Sequence, residues 1–401
     1  MQPTADPSSP FPSSTEIVST AILFATLPNL SVPHFLAPVI ASATTHTRSR
    51  LIIVLFSRHF NVQYPRRPSV GGSGASLTVK NNCLAPSLTF AEIQSLSRTE
   101  SWDAVQRILT FTYVQATKVA YDMGKVLMEV DVLLKGLNED LNPDLGKDLD
   151  ICFRVTGDSI PVPLPSTITA LRQWYIRPGE RHSESRLETY PGTPTIPDNP
   201  QPPAYPVTAL GGTFDHLHSG HKILLSMAAY ITCRKLIVGI TGALRGFTSF
   251  VHSVLIHLIT PCSTTDDALL QSKANKHILE PLPVRTHKVR QFLHFFKPEI
   301  EADIVPITDV YGPTGWDPDI QALVVSKETL GGAEAIAKHR QSKSLPPLRT
   351  FIIDVISSTA ASLDHDDANF LKQHKLSSTF VRQWIVDQEK KKGKEGETEA
   401  A

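Results

Sequence analysis

Residues 211–222, GGTFDHLHSGHK, bring together side chains that could act on a phosphorylated substrate. The imidazoles of His216, His218 and His221 fall within six residues of one another. Imidazoles can donate hydrogen bonds to phosphate oxygens and can stabilise charge that develops in a transition state. A single histidine is usually a surface or capping residue. Three of them between a predicted strand and a predicted helix indicate a functional site.

The glycines and the helix start in this stretch predict an anion site. Gly212 follows a predicted strand, and a glycine there lets the backbone approach a ligand closely. Gly220 leads into a predicted helix, whose first N–H groups have no intrahelical partner and lie at the positive end of the helix dipole. Thr213 and Asp215 add a hydroxyl and a carboxylate. These features favour phosphate binding.

A metal-dependent hydrolase is the alternative that uses the same atoms. His216 and His218 form an H-x-H pair, with which some hydrolases hold a metal at a strand end. Such sites need further ligands on later strands. Here the later strands offer only Asp303 and Asp309, without a second histidine pair. We therefore favour phosphate chemistry and predict no metal held by protein ligands.

The elements that must position the motif follow from an alternation of apolar runs after residue 205. The predicted strands are 206–210, 235–241, 302–308, 321–326 and 349–356, and the predicted helices are 220–231, 284–297, 331–340 and a segment from 377. Such alternation predicts a doubly wound, Rossmann-like α/β fold with a mostly parallel sheet. Ligands of such sheets bind at the carboxyl ends of the strands, where the motif is expected.

Composition and punctuation divide the chain into parts. The 401 residues are 41% apolar and 19% charged with zero formal net charge, which gives no reason to expect nucleic acid or an acidic membrane as a partner. We predict an N-terminal accessory domain at 1–180, a proline-rich linker at 181–204 and a catalytic domain at 205–390. The charged tail 391–401 is expected to be disordered.

The N-terminal region shows no catalytic constellation, and the sequence leaves its role open. Ile17–Thr45 has no charged residue but contains prolines such as Pro28, so we expect buried strands and loops of an α/β domain rather than a membrane span. Apolar periodicity predicts a helix over 102–137. The four cysteines form no C-x-x-C pair, so we expect no disulfide framework and a reducing, cytoplasmic location.

The motif resembles the H-x-G-H signature of the nucleotidyltransferase superfamily, and specifically that of the eukaryotic, fungal-type phosphopantetheine adenylyltransferases. Three further stretches are similar to that family: SKANKHILEPLPVRTHKVRQFL (272–293), VPITDVYGPTGWDPDIQALVVSKETLGG (305–332) and KLSSTFVR (375–382). A second S-S-T occurs at 357–359. We prefer the later copy because Arg382 follows it by one helical turn.

The resemblance implies a nucleotidyltransferase fold and transfer of AMP from ATP to 4′-phosphopantetheine, a step of coenzyme A synthesis. Other coenzyme A enzymes could then be partners. An incoming phosphate oxygen is already a nucleophile, so the protein must align two anions and neutralise charge. Mg²⁺ would bridge the ATP phosphates, held largely by substrate and water.

The resemblance also assigns residues. His218 and His221 would contact ATP phosphates, with His221 stabilising the transition state, and either Lys273 or Lys276 would add positive charge. The implied substrate-binding residues are Gly212, Thr213, Phe214, Asp215, Gly220, Arg285, Lys327, Ser377, Ser378, Thr379 and Arg382. Among these, Thr213 and Lys327 belong to the acceptor side. Arg285 is either a phosphate ligand or a solvated helix residue.

Residues 242–265 depart from the family pattern. Joining Thr241 to Asp266 gives VGITDDALLQSKANK, which reads as uninterrupted family sequence. We interpret 242–265 as an unremoved intron or a gene-model error, with a structured insertion as the alternative. Two other functions stay open: a nucleotidyltransferase with another phosphorylated acceptor, and an inactive scaffold for coenzyme A enzymes.

Overall fold

The computed structural model describes residues 17–61, 97–180, 202–242, 270, 273–353 and 377–399. They divide into two compact units, an N-terminal one (17–61 and 103–180) and a C-terminal one (97–102 and the described residues from 202 onward). The predicted domain boundaries stay predictions. The predicted linker, up to residue 201, and the segment 243–265 lie outside the described residues.

The N-terminal unit contains a five-stranded parallel sheet in the order β3-β2-β1-β4-β5. Its strands are β1 (Val18–Thr26), β2 (Thr47–Phe56), β3 (Glu129–Lys135), β4 (Ile151–Val155) and β5 (Arg172–Ile176). Its helices are α1 (Ala37–Thr45), α2 (Trp102–Asp122, which begins in the C-terminal unit) and α3 (Ser166–Thr169). This unit is α/β, as the sequence predicts.

The helix predicted over 102–137 is wrong in its second half, because α2 ends at Asp122 and β3 begins at Glu129. Gly124 stands between them at φ 70°, a conformation that suits glycine and interrupts a helix. The segment EVDVLLK then pairs along β2 and is buried over five consecutive residues. Apolar residues at close spacing fit a buried strand and a helix equally well, so periodicity alone misplaced the end.

The C-terminal unit also contains a five-stranded parallel sheet, in the order β10-β9-β6-β7-β8. Its strands are β6 (Tyr205–Gly212), β7 (Thr232–Thr241), β8 (Glu301–Ile307), β9 (Ala322–Ser326) and β10 (Arg349–Ile353). Its helices are α4 (Ser219–Ile231), α5 (Leu282–Phe296), α6 (Leu330–Ser342) and α7 (Ser378–Glu399). The predicted Rossmann-like α/β fold is confirmed, and every strand and helix predicted after residue 205 is present.

Burial explains why this sheet forms. Apolar side chains of β6, β7 and β9, such as Val207, Ile237 and Leu323, pack with Ile336 of α6 in one buried cluster. Because central strands of a parallel sheet are covered on both faces, they read as continuous apolar runs. The polar motif after β6 therefore begins where the buried strand ends.

Among the described residues, no helix combines the length and the apolar character needed to cross a bilayer. Helix α7 continues to Glu399, so residues 391–399 of the tail expected to be disordered are helical, consistent with the good helix propensity of Glu and Lys; residues 400 and 401 lie outside the described residues. Cys152 is free and buried, whereas Cys233 is disulfide-bonded, which the sequence analysis did not predict.

Candidate functional site

A cavity of about 840 Å³ opens at the carboxyl ends of β6 and β9. The chain runs from β6 to β7 on one side and pairs β6 with β9 on the other, so the strand order reverses here. Such a switch point is where open α/β sheets bind ligands. The sequence-predicted residues that line this cavity are Gly212, Thr213, His218, Gly220, His221, Lys273, Lys327, Ser377, Ser378, Thr379 and Arg382. Phe214, Asp215, Lys276 and Arg285 are not part of its lining.

Phe214 packs its buried ring beside His221 of the motif. It is fully buried, adopts φ 51°, and its ring centroid lies 5.2 Å from that of His221. A Cβ at position 212 would lie 3.0 Å from the Phe214 ring, which is tighter than an ordinary van der Waals contact, so glycine fits best at this strand end. Phe214 thus supports the imidazole of His221.

The two signature histidines stack at the start of α4. Their ring centroids are 3.9 Å apart, and Nδ1 of His218 accepts a hydrogen bond from the Gly220 N–H at 3.2 Å. Burial holds the pKa of His218 well below 6.5, with His221 as the next cause. Burial also lowers the pKa of His221 to about 3, and nearby Lys273 lowers it further while Asp215 opposes the shift. Both rings are therefore neutral near pH 7.

Nδ1 of His221 is buried without a hydrogen-bond partner within the part of the chain that the structure describes. Buried polar atoms are almost always hydrogen-bonded, so an unpaired one needs an explanation. Because His221 also lines the cavity, a ligand bound there would be placed to supply the missing partner.

The structure distinguishes the two candidate lysines. Lys273 lines the cavity and acts electrostatically on His221. Lys276 begins a short 3₁₀ helix, Lys276–Ile278, and does not line the cavity. The sequence could not choose between them because both lie in the same loop.

A buried ion pair joins three segments behind the cavity. Arg382 on α7 pairs with the fully buried Asp215, and its Nε donates to the Ala274 carbonyl at 2.8 Å. Ser378 Oγ also donates to the Asp215 carbonyl at 2.8 Å. The Asp215–Arg382 pair is therefore a structural brace between the motif, the loop that carries Lys273 and the start of α7.

Arg285 has a structural role in this geometry. Its guanidinium donates to the carbonyl oxygens of Thr213 (2.7 Å), Thr241 (2.9 Å) and Glu280 (2.9 Å), and the side chain is only 2% exposed. The interpretation of Arg285 as a solvated helix residue is therefore wrong, and as a phosphate ligand it remains outside the cavity lining. It ties the ends of β6 and β7 to the start of α5.

The opposite side of the cavity is more apolar. Ile307, Leu323 and Ile336 line it, together with the exposed Lys327 just after β9. Asp309 also lines it, and its Oδ1 accepts hydrogen bonds from the backbone N–H groups of Tyr311 and Gly312. An elongated ligand with one polar end fits such a wall.

The H-x-H metal site of the alternative hydrolase is not assembled. His216 Nε2 lies 2.9 Å from the Ile278 carbonyl oxygen, and Asp303 pairs with Lys235 at 2.7 Å. Across the described residues, no group of three or more His, Cys, Asp or Glu side chains is placed to hold a metal ion.

Comparison with known proteins identifies the family. Residues 209–245 match the cytidylyltransferase-like family model. A phosphopantetheine adenylyltransferase of Pyrobaculum aerophilum is 31% identical over 45% of this chain and 93% of its own length. One from Methanopyrus kandleri is 31% identical over 37% of this chain and 77% of its own length. The chain belongs to the phosphopantetheine adenylyltransferase family.

The phosphopantetheine adenylyltransferase of Saccharomyces cerevisiae is 40% identical over 45% of this chain. The matched segment spans 48% of that relative, about half of its length. Membership of the phosphopantetheine adenylyltransferase family thus rests on less than half of the chain. These comparisons assign no role to the N-terminal unit.

Proposed function

We propose that this chain transfers AMP from ATP to 4′-phosphopantetheine, giving dephospho-coenzyme A and pyrophosphate. The observation that carries the proposal is a shared lining at the cavity of the switch point. His218 and His221, the loop residue Lys273 and the S-S-T-x-x-R segment at 377–382 all line it, although they are far apart in the sequence. Family membership supports the same reaction.

The nucleotide would bind at the start of α4. The N–H groups of the first helical turn attract anions, and the helix begins at Ser219 within the motif. Because Nδ1 of His218 accepts from Gly220, a neutral His218 ring carries its proton on Nε2 and can donate it to a phosphate oxygen. Lys273 would neutralise charge that develops on the α-phosphate.

The acceptor would approach from the side of β9. Thr213 and Lys327 line the cavity at the ends of β6 and β9, where they can hold the acceptor phosphate. The apolar wall around Ile307 and Ile336 suits the uncharged arm of phosphopantetheine. Its phosphate oxygen then attacks the α-phosphorus, and pyrophosphate leaves without a covalent enzyme intermediate.

We propose that Mg²⁺ enters with ATP. The carboxylates lining the cavity, Asp309 and Glu328, lie on the β8–β9 side, and Asp309 Oδ1 already accepts two backbone N–H groups. This donor set fits a metal held mainly by phosphates and water. When bound, Mg²⁺ would neutralise charge on the departing pyrophosphate.

Cytoplasmic location and recruitment of other coenzyme A enzymes by the N-terminal unit stay predictions. An inactive scaffold and a different phosphorylated acceptor are the competing functions. The cavity-lining His218, His221 and Lys273 favour a working transferase over a scaffold.

Pyrophosphate release by the full chain with ATP, Mg²⁺ and 4′-phosphopantetheine tests the proposal. We expect turnover that His221→Ala reduces by at least about 100-fold, the scale for loss of a group that stabilises transition-state charge. Nicotinamide mononucleotide and glycerol 3-phosphate serve as acceptors of different shape. Turnover with one of these alone would replace the proposed acceptor, and tight ATP binding without any turnover would favour the scaffold.

A variant lacking 242–265 belongs in the same assay. Turnover in the shortened chain alone would support the interpretation of 242–265 as a segment foreign to the enzyme. Equal turnover in both chains would show that residues 242–265 do not impair the reaction.

A further inference from the structure

The loop between β6 and α4 has a backbone shape that needs support. Phe214 and His216 adopt φ values of 51° and 43°, in the left-handed region that residues other than glycine rarely occupy. Such conformations persist only where the surroundings hold them, and they concentrate at functional sites. Because His218 and His221 directly follow, the shape of this loop sets where their rings lie.

Glu280 supplies that support through a reciprocal pair of hydrogen bonds. Its Oε2 accepts from the His216 N–H at 2.9 Å, while its own N–H donates to Asp215 Oδ1 at 2.8 Å. Each acidic residue thus caps the backbone of the other segment. The His216 ring adds a contact of 2.9 Å to the Ile278 carbonyl oxygen.

Every polar group of Glu280 is used. Its Oε1 accepts from Lys288 Nζ at 2.5 Å, and its carbonyl oxygen accepts from Arg285 Nε at 2.9 Å. Its side chain is 13% exposed, and the residue is not part of the cavity lining. Glu280 is therefore placed to shape the site without touching the ligand.

We infer that Glu280 is a positioning residue, which holds the loop 213–217 so that His218 and His221 present their rings to the ATP phosphates. The hydrogen bond between Glu280 and Asp215 also connects this loop to the segment that carries Lys273, because Asp215 pairs with Arg382 and Arg382 donates to the Ala274 carbonyl. This inference rests on the proposed function, since it concerns how the histidines meet ATP.

The test compares Glu280→Gln and Glu280→Ala in the full chain. A glutamine amide oxygen can still accept from the His216 N–H, whereas alanine removes the acceptor. We expect Glu280→Ala to weaken ATP binding, measured by calorimetry without acceptor, and to lower kcat by about 10- to 100-fold, the cost of a misplacement near 1 Å. The KM for 4′-phosphopantetheine should stay within about twofold of wild type, since its contacts lie elsewhere. The ATP affinity and the kcat of Glu280→Gln should fall between those of the wild type and those of Glu280→Ala.

Two controls separate positioning from general stability. Lys288→Met removes the outer ion pair but keeps the bond to His216, and should retain nearly full activity. Glu301→Ala removes an exposed partner of Lys235 on β8, and gives the thermal shift caused by loss of a surface ion pair. The Tm of each variant is recorded, and kinetics are compared at a temperature where all are folded.

Three results would overturn the inference: ATP affinity and kcat of Glu280→Ala within twofold of wild type, losses in Lys288→Met as large as in Glu280→Ala, or losses that follow Tm alone. Failure of the proposed function would look different. A wild-type chain that binds ATP but does not turn over 4′-phosphopantetheine would refute the acceptor, while the effect of Glu280 on ATP affinity would still be measured.

Discussion

At the scale of single residues, the cavity combines two neutral imidazoles with lysine and arginine side chains. Burial keeps the pKa values of His218 and His221 below 6.5, so their hydrogens are directional donors rather than permanent charges. Neutral donors that are already oriented can stabilise charge as it develops.

These pKa directions predict how stability depends on pH. The unfolded chain protonates its histidines near pH 6.5, whereas folded His221 resists protonation down to about pH 3. The stability that neutral His218 and His221 contribute is therefore complete above pH 6.5 and is lost as pH falls from 6.5 towards 3. We expect the Tm of the wild type to fall more steeply between pH 7.5 and 5 than that of a His218→Asn/His221→Asn variant. Parallel curves in thermal melts would contradict this.

The two lysines should separate in kinetics. Lys273→Ala should lower kcat by about 100-fold because Lys273 lines the cavity and would stabilise transition-state charge. Lys276→Ala should stay within about threefold, since Lys276 lies outside the lining and is the matched control from the same loop. Steady-state pyrophosphate release gives both values, and equal losses would refute the assignment of Lys273.

At the scale of elements, a short segment, residues 97–102, packs within the C-terminal unit; we call it the strap. Thr99 Oγ1 donates to the Pro202 carbonyl at 2.8 Å, and the hydroxyls of Ser101 and Tyr230 lie 2.9 Å apart. The ring of Trp102 packs 4.8 Å from that of Phe351 on β10. Residues 97–102 therefore belong to the same packed unit as β6 and β10, although more than a hundred residues separate them from β10 in the sequence.

Trp102→Ala should destabilise the protein by about 3 kcal/mol, the usual cost of emptying a buried tryptophan site. Trp102 is only 6% exposed, whereas Trp316 is 68% exposed, so Trp316→Ala is the matched control and should change stability by less than about 0.5 kcal/mol. Denaturant unfolding measures both. A Trp102→Ala variant as stable as Trp316→Ala would show that the strap contributes little.

At the scale of the whole molecule, both sheets share one topology. The order β3-β2-β1-β4-β5 repeats as β8-β7-β6-β9-β10, and all pairs are parallel. At the switch point of the N-terminal sheet, however, the Asp158 carboxylate accepts from the Thr26 N–H at 2.7 Å and so bridges the ends of β1 and β4. The corresponding ends of β6 and β9 border the cavity.

We therefore expect one ATP per chain. Equilibrium dialysis of the full chain should give a stoichiometry near one, and a His218→Ala/His221→Ala variant should lose this binding. The repeated topology could otherwise supply two sites, so a second site that survives in the double variant would contradict the prediction.

The origin of residues 242–265 is a question about the transcript rather than about the folded protein. We expect the spliced message to join the codon of Thr241 to that of Asp266. Sequencing of the transcript tests this, and a mature message that still encodes 242–265 would refute it.

The sequence by itself determined the C-terminal fold and most of the site. Buried parallel strands are apolar throughout, so β6 to β10 could be predicted directly, and the glycine–histidine motif marked the strand end that borders the cavity. Prediction from the sequence failed at β3, because apolar residues of a buried strand can have the spacing expected of a helix. It also failed at the end of α7, whose charged residues are good helix formers.

Only the tertiary structure decided which residues meet. It placed Lys273 rather than Lys276 at the cavity, assigned Arg285 and Asp215 to bracing, and revealed Glu280, which no sequence pattern marked as important. The reason is physical. Type and spacing reveal what a side chain can do, but hydrogen-bond partners come from segments brought together by packing, and local sequence does not encode those distances.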